Sequence, residues 1–229
     1  MGPEFHITSD QLLCVIGTQH ATSIVDICTC EDHALDPRVI PGAWRCAFGD
    51  AGERIFDGPV VIVCQKGLKL SQGVTALLRQ RGIDARFLTG GMLHWADTGL
   101  PLIETNAHPA IGMGEQRWAL PIKLTPKIMF QAWCVVRFVD PEPIWMHVEA
   151  AQIARVADRF AAHKLAHAAV AVRAAIPQIS SQEDSVSEQP LYDLLYAACS
   201  GFVDPSQNLS QGFAIVDASW SVIWRGDRP

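Results

Sequence analysis

Residues 58–71 read Gly58-Pro59-Val60-Val61-Ile62-Val63-Cys64-Gln65-Lys66-Gly67-Leu68-Lys69-Leu70-Ser71, and the fold is decided here. Four β-branched apolar residues in a row, Val60 to Val63, lack the alternation of a strand with one wet face, so they predict a strand buried on both sides near the centre of a parallel sheet. A polar, glycine-containing loop follows. Val74, Leu77 and Leu78 then fall at i, i+3 and i+4, with Arg79, Gln80 and Arg81 behind them, which predicts a helix that Gly82 stops. Strand, tight loop and helix in that order are the beginning of a βαβ unit.

Outward from this stretch the same alternation continues. Residues 23–27 (Ser-Ile-Val-Asp-Ile) and 85–88 read as further strands; Gly90-Gly91 then permits a sharp turn into a short helix near residues 93–98, and Pro101 closes the unit. Residues 105–117 are small and turn-forming with little periodicity, the pattern of a linker. The expected organisation is therefore an α/β domain over residues 5–104, a linker over 105–117, and a smaller, mainly α-helical domain over 118–229.

In that second part Ile153, Val156, Ala157, Phe160 and Ala161 form one apolar helical stripe, and Leu191, Leu194, Leu195, Ala198, Cys199 and Phe202 form another. Residues 178–189, polar and serine-rich, read as a loop between them. Residues 213–224 fit either a helix or a strand. His163 and His167 stand four apart on a predicted helix, but Lys164 occupies the place where a zinc-protease motif needs Glu, so they are read as a solvated face and no metal is expected. Trp133, Trp145, Trp220 and Trp224 are expected in the core.

Composition excludes several classes. Of 229 residues, 49% are hydrophobic and 18% charged, which places the chain among globular proteins. A net charge of −6 argues against nucleic acid as a partner, because neutralising phosphates needs clustered Lys and Arg. No apolar stretch is long enough to span a membrane, since even residues 131–148 carry Arg137, Asp140 and Glu142. Seven cysteines, five of them within the first 64 residues and none behind a secretory leader, point to reduced thiols and a cytoplasmic location.

Cys64 carries the chemistry. It ends a central parallel strand, where ligands collect in open α/β sheets. The following loop amides and helix N-terminus favour negative charge, and Lys66 and Lys69 add two full positive charges. A thiolate is the nucleophilic form of cysteine, so Cys64 is expected to be reactive.

At these residues the sequence resembles the rhodanese family of sulfurtransferases. The resemblance runs from Ile7 to about Glu104 through Ile7-Thr8-Ser9-Asp10-Gln11-Leu12-Leu13, Val25-Asp26-Ile27, Val39-Ile40-Pro41-Gly42-Ala43, the loop Cys64-Gln65-Lys66-Gly67-Leu68-Lys69, Leu88-Thr89-Gly90-Gly91 to Trp95, and Gly99-Leu100-Pro101. It implies a rhodanese-like parallel sheet with flanking helices. It also implies a thiosulfate sulfurtransferase in which the Cys64 thiolate takes the outer sulfur of thiosulfate, sulfite leaves, and a persulfide remains for a thiol, protein cysteine or cyanide acceptor. Gln65, Lys66, Gly67, Leu68 and Lys69 would bind the anionic donor and persulfide, Asp26 would support the loop backbone, and no cofactor is implied. A lysine two positions after the cysteine favours thiosulfate over mercaptopyruvate.

Two departures stand out. Related cysteine phosphatases need Arg six positions after the nucleophile, and Leu70 stands there. The family often places Arg two residues after the Asp, and Cys28 stands there, which removes the usual local ion pair. Cys28-Thr29-Cys30 lies near enough in the expected topology to be weighed as a sulfur relay.

Residues 118–147 resemble the domain of bacterial chromate-resistance proteins, through Pro126-Lys127-Ile128 and Trp133-Cys134-Val135-Val136-Arg137-Phe138-Val139-Asp140-Pro141, with Leu191-Tyr192-Asp193-Leu194-Leu195-Tyr196-Ala197-Ala198-Cys199 as a closing helix. That domain's polar His, Cys and Asp motif has no counterpart in residues 160–189, so its fold and not its site is carried over. The alternative function is accordingly a non-catalytic sensor of chromate or sulfate, or a chromate-resistance protein.

Overall fold

A computed structural model describes residues 5–201 and 204–226. Its contacts divide the chain into two compact units, one of residues 1–16 and 20–114, the other of 17–19 and 115–229. Phe202, the expected end of the second apolar stripe, lies outside the described residues.

The first unit contains β1 (His6–Ile7), α1 (Ser9–Leu13), β2 (Ser23–Asp26), α2 (Cys30–Leu35), β3 (Arg38–Val39), β4 (Ala43–Arg45), α3 (Phe48–Glu53), β5 (Val60–Val63), α4 (Lys69–Gln80), β6 (Ala85–Leu88), α5 (Gly91–Asp97) and β7 (Ile103–Glu104). Five strands form a parallel sheet in the order β1-β6-β5-β2-β4, with helices flanking it. β5 is the middle strand and all four of its residues are buried, as the unbroken apolar run requires. Val60 and Ile62 pack with Val25, Ile27, Ala51 of α3, and Val74 and Leu78 of α4. Val61 and Val63 point to the other face by strand alternation and are equally buried.

The reading of residues 105–117 as a linker is corrected in part. Thr105–Ala107 form a 3-10 turn, His108, Ala110 and Ile111 are buried, and Gly112 O accepts from Arg45 N at 2.8 Å. Small residues lacking periodicity here cover the end of β4, and the division falls after Gly114.

The second unit contains β8 (Arg117–Pro121), α6 (Pro126–Phe138), β9 (Ile144–Val148), α7 (Ile153–Phe160), β10 (His163–Lys164), α8 (Leu165–Ala175), α9 (Gln178–Ser187), α10 (Leu191–Ser200) and α11 (Pro205–Gly226). It is mainly helical, but it is not smaller than the first unit, and it holds a three-stranded parallel sheet in the order β10-β8-β9. Two buried carboxylates organise it. Asp140 accepts from the N–H groups of Glu115 and Gln116 and from Trp118 Nε1, at 2.8 to 2.9 Å. Asp217 accepts from Trp133 Nε1 at 2.7 Å and from both Nε and Nη2 of Arg137. Trp133 and Trp220 are wholly buried, as expected, whereas Trp145 is half-buried.

Residues 178–189, expected as a loop, are mostly the helix α9. Only Ile179 and Val186 give it apolar periodicity, and the third inward position is Gln182, whose Nε2 donates to Val216 O at 3.3 Å and whose Oε1 accepts from Ser219. Residues 213–224 lie on the helix α11. His163 is on β10, its ring 5.2 Å from that of Trp118, while His167 is on α8, so the expected single helix face carrying both does not exist. Among the described residues no three His, Cys, Asp or Glu side chains converge as metal ligands, and no helix is long and apolar enough to cross a membrane. None of the seven cysteines is in a disulfide.

Burial pushes the Cys134 thiol far up, with the Glu183 charge adding and Arg173 opposing, and burial takes Cys199 up to about 11. Free thiols in the unfolded chain ionise near 9.0. Above that pH the unfolded chain has released protons that the folded chain still holds, so stability that is fully present below it is lost as pH rises, by about 1.4 kcal/mol per pH unit for each such thiol. Urea midpoints measured under reductant should fall between about pH 8 and about pH 10, and more shallowly in Cys134→Ala; parallel profiles for the two proteins would contradict this.

Candidate active site

Cys64 follows β5 directly, is 4% exposed, and begins a loop that ends where α4 starts at Lys69. The loop is held from below by α5. Met92 N–H donates to Cys64 O at 3.1 Å and Leu93 N–H donates to Gln65 O at 3.0 Å. Such close docking leaves no room for side chains at two positions. Gly67 has φ +63°, and a Cβ there would run into Leu88 O and the N atoms of Gly90 and Gly91; Gly91 has φ +59°, and a Cβ there would run into Cys64 O and Gly67 N. Both also need a backbone region that L-residues rarely adopt.

Among the described residues, the N–H groups of Gln65, Lys66, Gly67 and Leu68 make no hydrogen bond within the protein. Backbone donors left in that state require water or an anion. Lys66 and Lys69 are exposed, and among the described residues neither forms an ion pair. An open cleft of about 260 Å³ lies over the loop, lined by Asp32, Cys64, Gln65, Lys66, Leu68, Lys69 and Leu70. The structure thus brings together Cys64, Gln65, Lys66, Leu68 and Lys69, while Gly67 sits beneath as the loop's point of contact with α5.

Ser71 is a site residue that the sequence reading passed over. It is wholly buried, the Cys64 thiol donates to its Oγ at 3.1 Å, and its own hydroxyl donates to Leu68 O at 3.2 Å. When Cys64 is ionised the hydroxyl can turn and donate to the sulfur instead, because its proton is free to rotate. A serine seven residues after a strand-end cysteine, on the first turn of the next helix, was the available signal.

Asp26 ends β2, is 1% exposed, and stands beside the site without lining the Cys64 cleft. Its Oδ1 accepts from Cys28 N–H at 2.8 Å. The cation missing from position 28 comes from the next strand: Arg45 Nε lies 3.4 Å from Asp26 Oδ2, and Arg45 Nη2 donates to Cys28 O at 3.0 Å. Register places Arg45 there, since β2 and β4 pair Asp26 with Arg45. Cys28 is half-buried, and its thiol is pushed far above the ordinary range by burial first and then by the Asp26 charge and a hydrogen bond to it, with Cys64 and Asp32 adding. Cys30 is exposed and opens α2 behind the N-cap Thr29.

No family model and no curated protein matches the chain. Solved structures similar to its N-terminal part include rhodanese-like domain proteins. A rhodanese-like domain protein from Staphylococcus aureus is 31% identical, over 42% of this chain and 94% of that one, with a TM-score of 0.36. The rhodanese homolog of Thermus thermophilus is 21% identical, over 38% and 96%, with a TM-score of 0.31. A Rhodopseudomonas palustris protein of unknown function, described as a possible tyrosine phosphatase, is 22% identical, over 43% and 84%, with a TM-score of 0.37. Likenesses with such TM-scores assign no family.

Replacing Gly91 by Ala should undo the loop's docking. We expect a loss of roughly 2 kcal/mol or more in unfolding free energy and a changed rate of Cys64 alkylation, because strain and a backbone clash coincide. Gly73→Ala is the control: a Cβ there meets nothing within 4 Å on α4, so stability should hold or rise. Equal effects of the two substitutions would refute the account.

Proposed function

We propose that the first unit is a rhodanese-type thiosulfate sulfurtransferase working through a Cys64 persulfide. The observation that carries this is a nearly buried cysteine at the end of the central strand, with a hydroxyl on its sulfur and, among the described residues, unengaged loop amides beside it and two unpaired lysines above. Thiosulfate is a dianion with a weak sulfur–sulfur bond, and every one of these groups favours binding it.

In the first step the Cys64 thiolate attacks the outer sulfur of thiosulfate, the S–S bond breaks, and sulfite leaves with its electron pair. The persulfide anion then lies against the loop N–H groups of residues 65–68, with Ser71 able to donate to the inner sulfur. In the second step an acceptor thiolate, small or on a protein, attacks the outer sulfur and Cys64 is released as thiolate. Lys66 and Lys69 hold the donor, Asp26 and Arg45 hold the neighbouring strand end, and no cofactor takes part.

Phosphatase chemistry is disfavoured because the position six after Cys64 is Leu70, an apolar side chain packed on the sheet core. The second unit is proposed as an accessory domain related to the chromate-resistance domain, without an active site of its own. A reducing, cytoplasmic setting suits a chain whose cysteines are all outside disulfides.

Intact-mass measurement after thiosulfate treatment tests the reading: one added sulfur should map to Cys64, and Cys64→Ser should show none and lose about 10³-fold or more in turnover to cyanide. Lys66→Ala should raise KM for thiosulfate about fivefold with a smaller change in kcat, an effect that fades at high salt. A clear preference for mercaptopyruvate in steady-state rates would overturn the donor. Absence of persulfide together with thermal protection by chromate would favour the oxyanion-sensor reading instead.

A further inference from the structure

Cys28 lies two residues beyond β2, and Cys64 one residue beyond β5. The two strands are hydrogen-bonded neighbours in parallel register, Asp26 opposite Val63, and Ile27 N–H donates to Val63 O at 2.8 Å. The two cysteines therefore leave the sheet at adjoining strand ends. In that register Cys64 stands opposite Ile27 and Cys28 lies one residue further along, so strands about 4.8 Å apart with a rise of about 3.3 Å per residue put the two Cα atoms about 6 Å apart, inside the range of about 4.4–6.8 Å that a disulfide spans. Cys28 opens on a second cleft, of about 190 Å³, which shares Asp32 and Gln65 with the Cys64 cleft. The buried carboxylate of Asp26 lines that second cleft, and among the described residues its Oδ2 has no hydrogen-bond partner beyond the ion pair with Arg45. Cys30 lines neither cleft.

We propose that Cys28 is a resolving thiol, which attacks a Cys64 persulfide that has met no acceptor, closes a Cys28–Cys64 disulfide and releases hydrogen sulfide. The proposal rests on the sulfur-carrier reading of Cys64. The Cys28 sulfur attacks the inner sulfur of the persulfide, the bond from Cys64 Sγ to the outer sulfur breaks, and a bond between the two cysteine sulfurs forms. The outer sulfur leaves as hydrosulfide and takes up the Cys28 proton. The two cysteines lose two electrons and the sulfane sulfur gains them, so no other oxidant is needed. Attack falls on the inner sulfur because the outer one extends into the cleft that Cys28 does not line.

The groups around Cys28 set the pace. Burial first, and then Asp26, Cys64 and Asp32, favour its protonated form, while Arg45 pairs with Asp26 and donates to the Cys28 carbonyl, and His33, Asp36 and Arg38 line the same cleft. A thiol held protonated attacks slowly near neutral pH, so an external acceptor has first access and resolution is the slower route, faster as pH rises.

The full chain, loaded with thiosulfate and freed of excess donor, tests this without acceptor. We expect the Cys64 persulfide to decay, with one equivalent of sulfide and a Cys28–Cys64 cross-linked peptide in a non-reducing map, and faster decay at alkaline pH. Cys28→Ser and Cys28→Ala should keep the persulfide roughly tenfold longer or more, and Cys30→Ser should behave like the parent. Equal decay and sulfide release in the parent and both Cys28 variants, or a cross-link through Cys30, would overturn the proposal. If thiosulfate does not load Cys64, inorganic polysulfide is used: sulfide release with the Cys28–Cys64 link then upholds Cys28 while the thiosulfate assignment fails, and a persistent Cys64 persulfide refutes Cys28. Loading by neither donor refutes both.

Discussion

Two backbone hydrogen bonds, from Met92 and Leu93 at the start of α5 to the carbonyls of Cys64 and Gln65, are what the rest of the site depends on. They take up the oxygens of the loop's first two residues, while among the described residues the N–H groups of residues 65–68 have no internal partner. That arrangement requires backbone to touch backbone, which is why Gly67 and Gly91 face each other across the contact. The loop's shape is thus fixed by a helix none of whose described residues lines the cleft over Cys64.

The N-terminal sheet was legible because its information is local. The uninterrupted Val60–Val63 run could only be a strand covered on both faces, and the loop and helix after it follow from Gly67, the 74/77/78 spacing and Gly82. What was not legible depended on register. Arg45 is far from Asp26 in sequence, and only the pairing of β2 with β4 makes it the substitute for the arginine absent at position 28. Ser71 could be counted seven residues from Cys64, but its contact with the thiol depends on how the loop turns into the first turn of α4.

The second unit resisted the reading for a different reason. α9 has two apolar residues among ten, and its third inward position is a glutamine satisfied by α11, so its helicity comes from tertiary partners and not from its own periodicity. β10 is two residues long and β8 ends in proline, signals too short to be told from loop. Asp140 and Asp217, each serving a buried tryptophan, show how much of this unit's specificity lies in long-range hydrogen bonds.

Leu70 has a consequence for the order of events. An arginine at that position would grip a tetrahedral oxyanion with a rigid two-pronged donor and keep it. Here, among the described residues, the cations lining the cleft over Cys64 are two long, exposed ammonium groups, which would attract a dianion but hold it loosely. In sulfur transfer the first product is itself an oxyanion. Under the proposed sulfur transfer, weak retention would let sulfite depart before the acceptor arrives, so a single cleft could serve donor and acceptor in turn, with the sulfur on Cys64 as the only thing carried from one visit to the next.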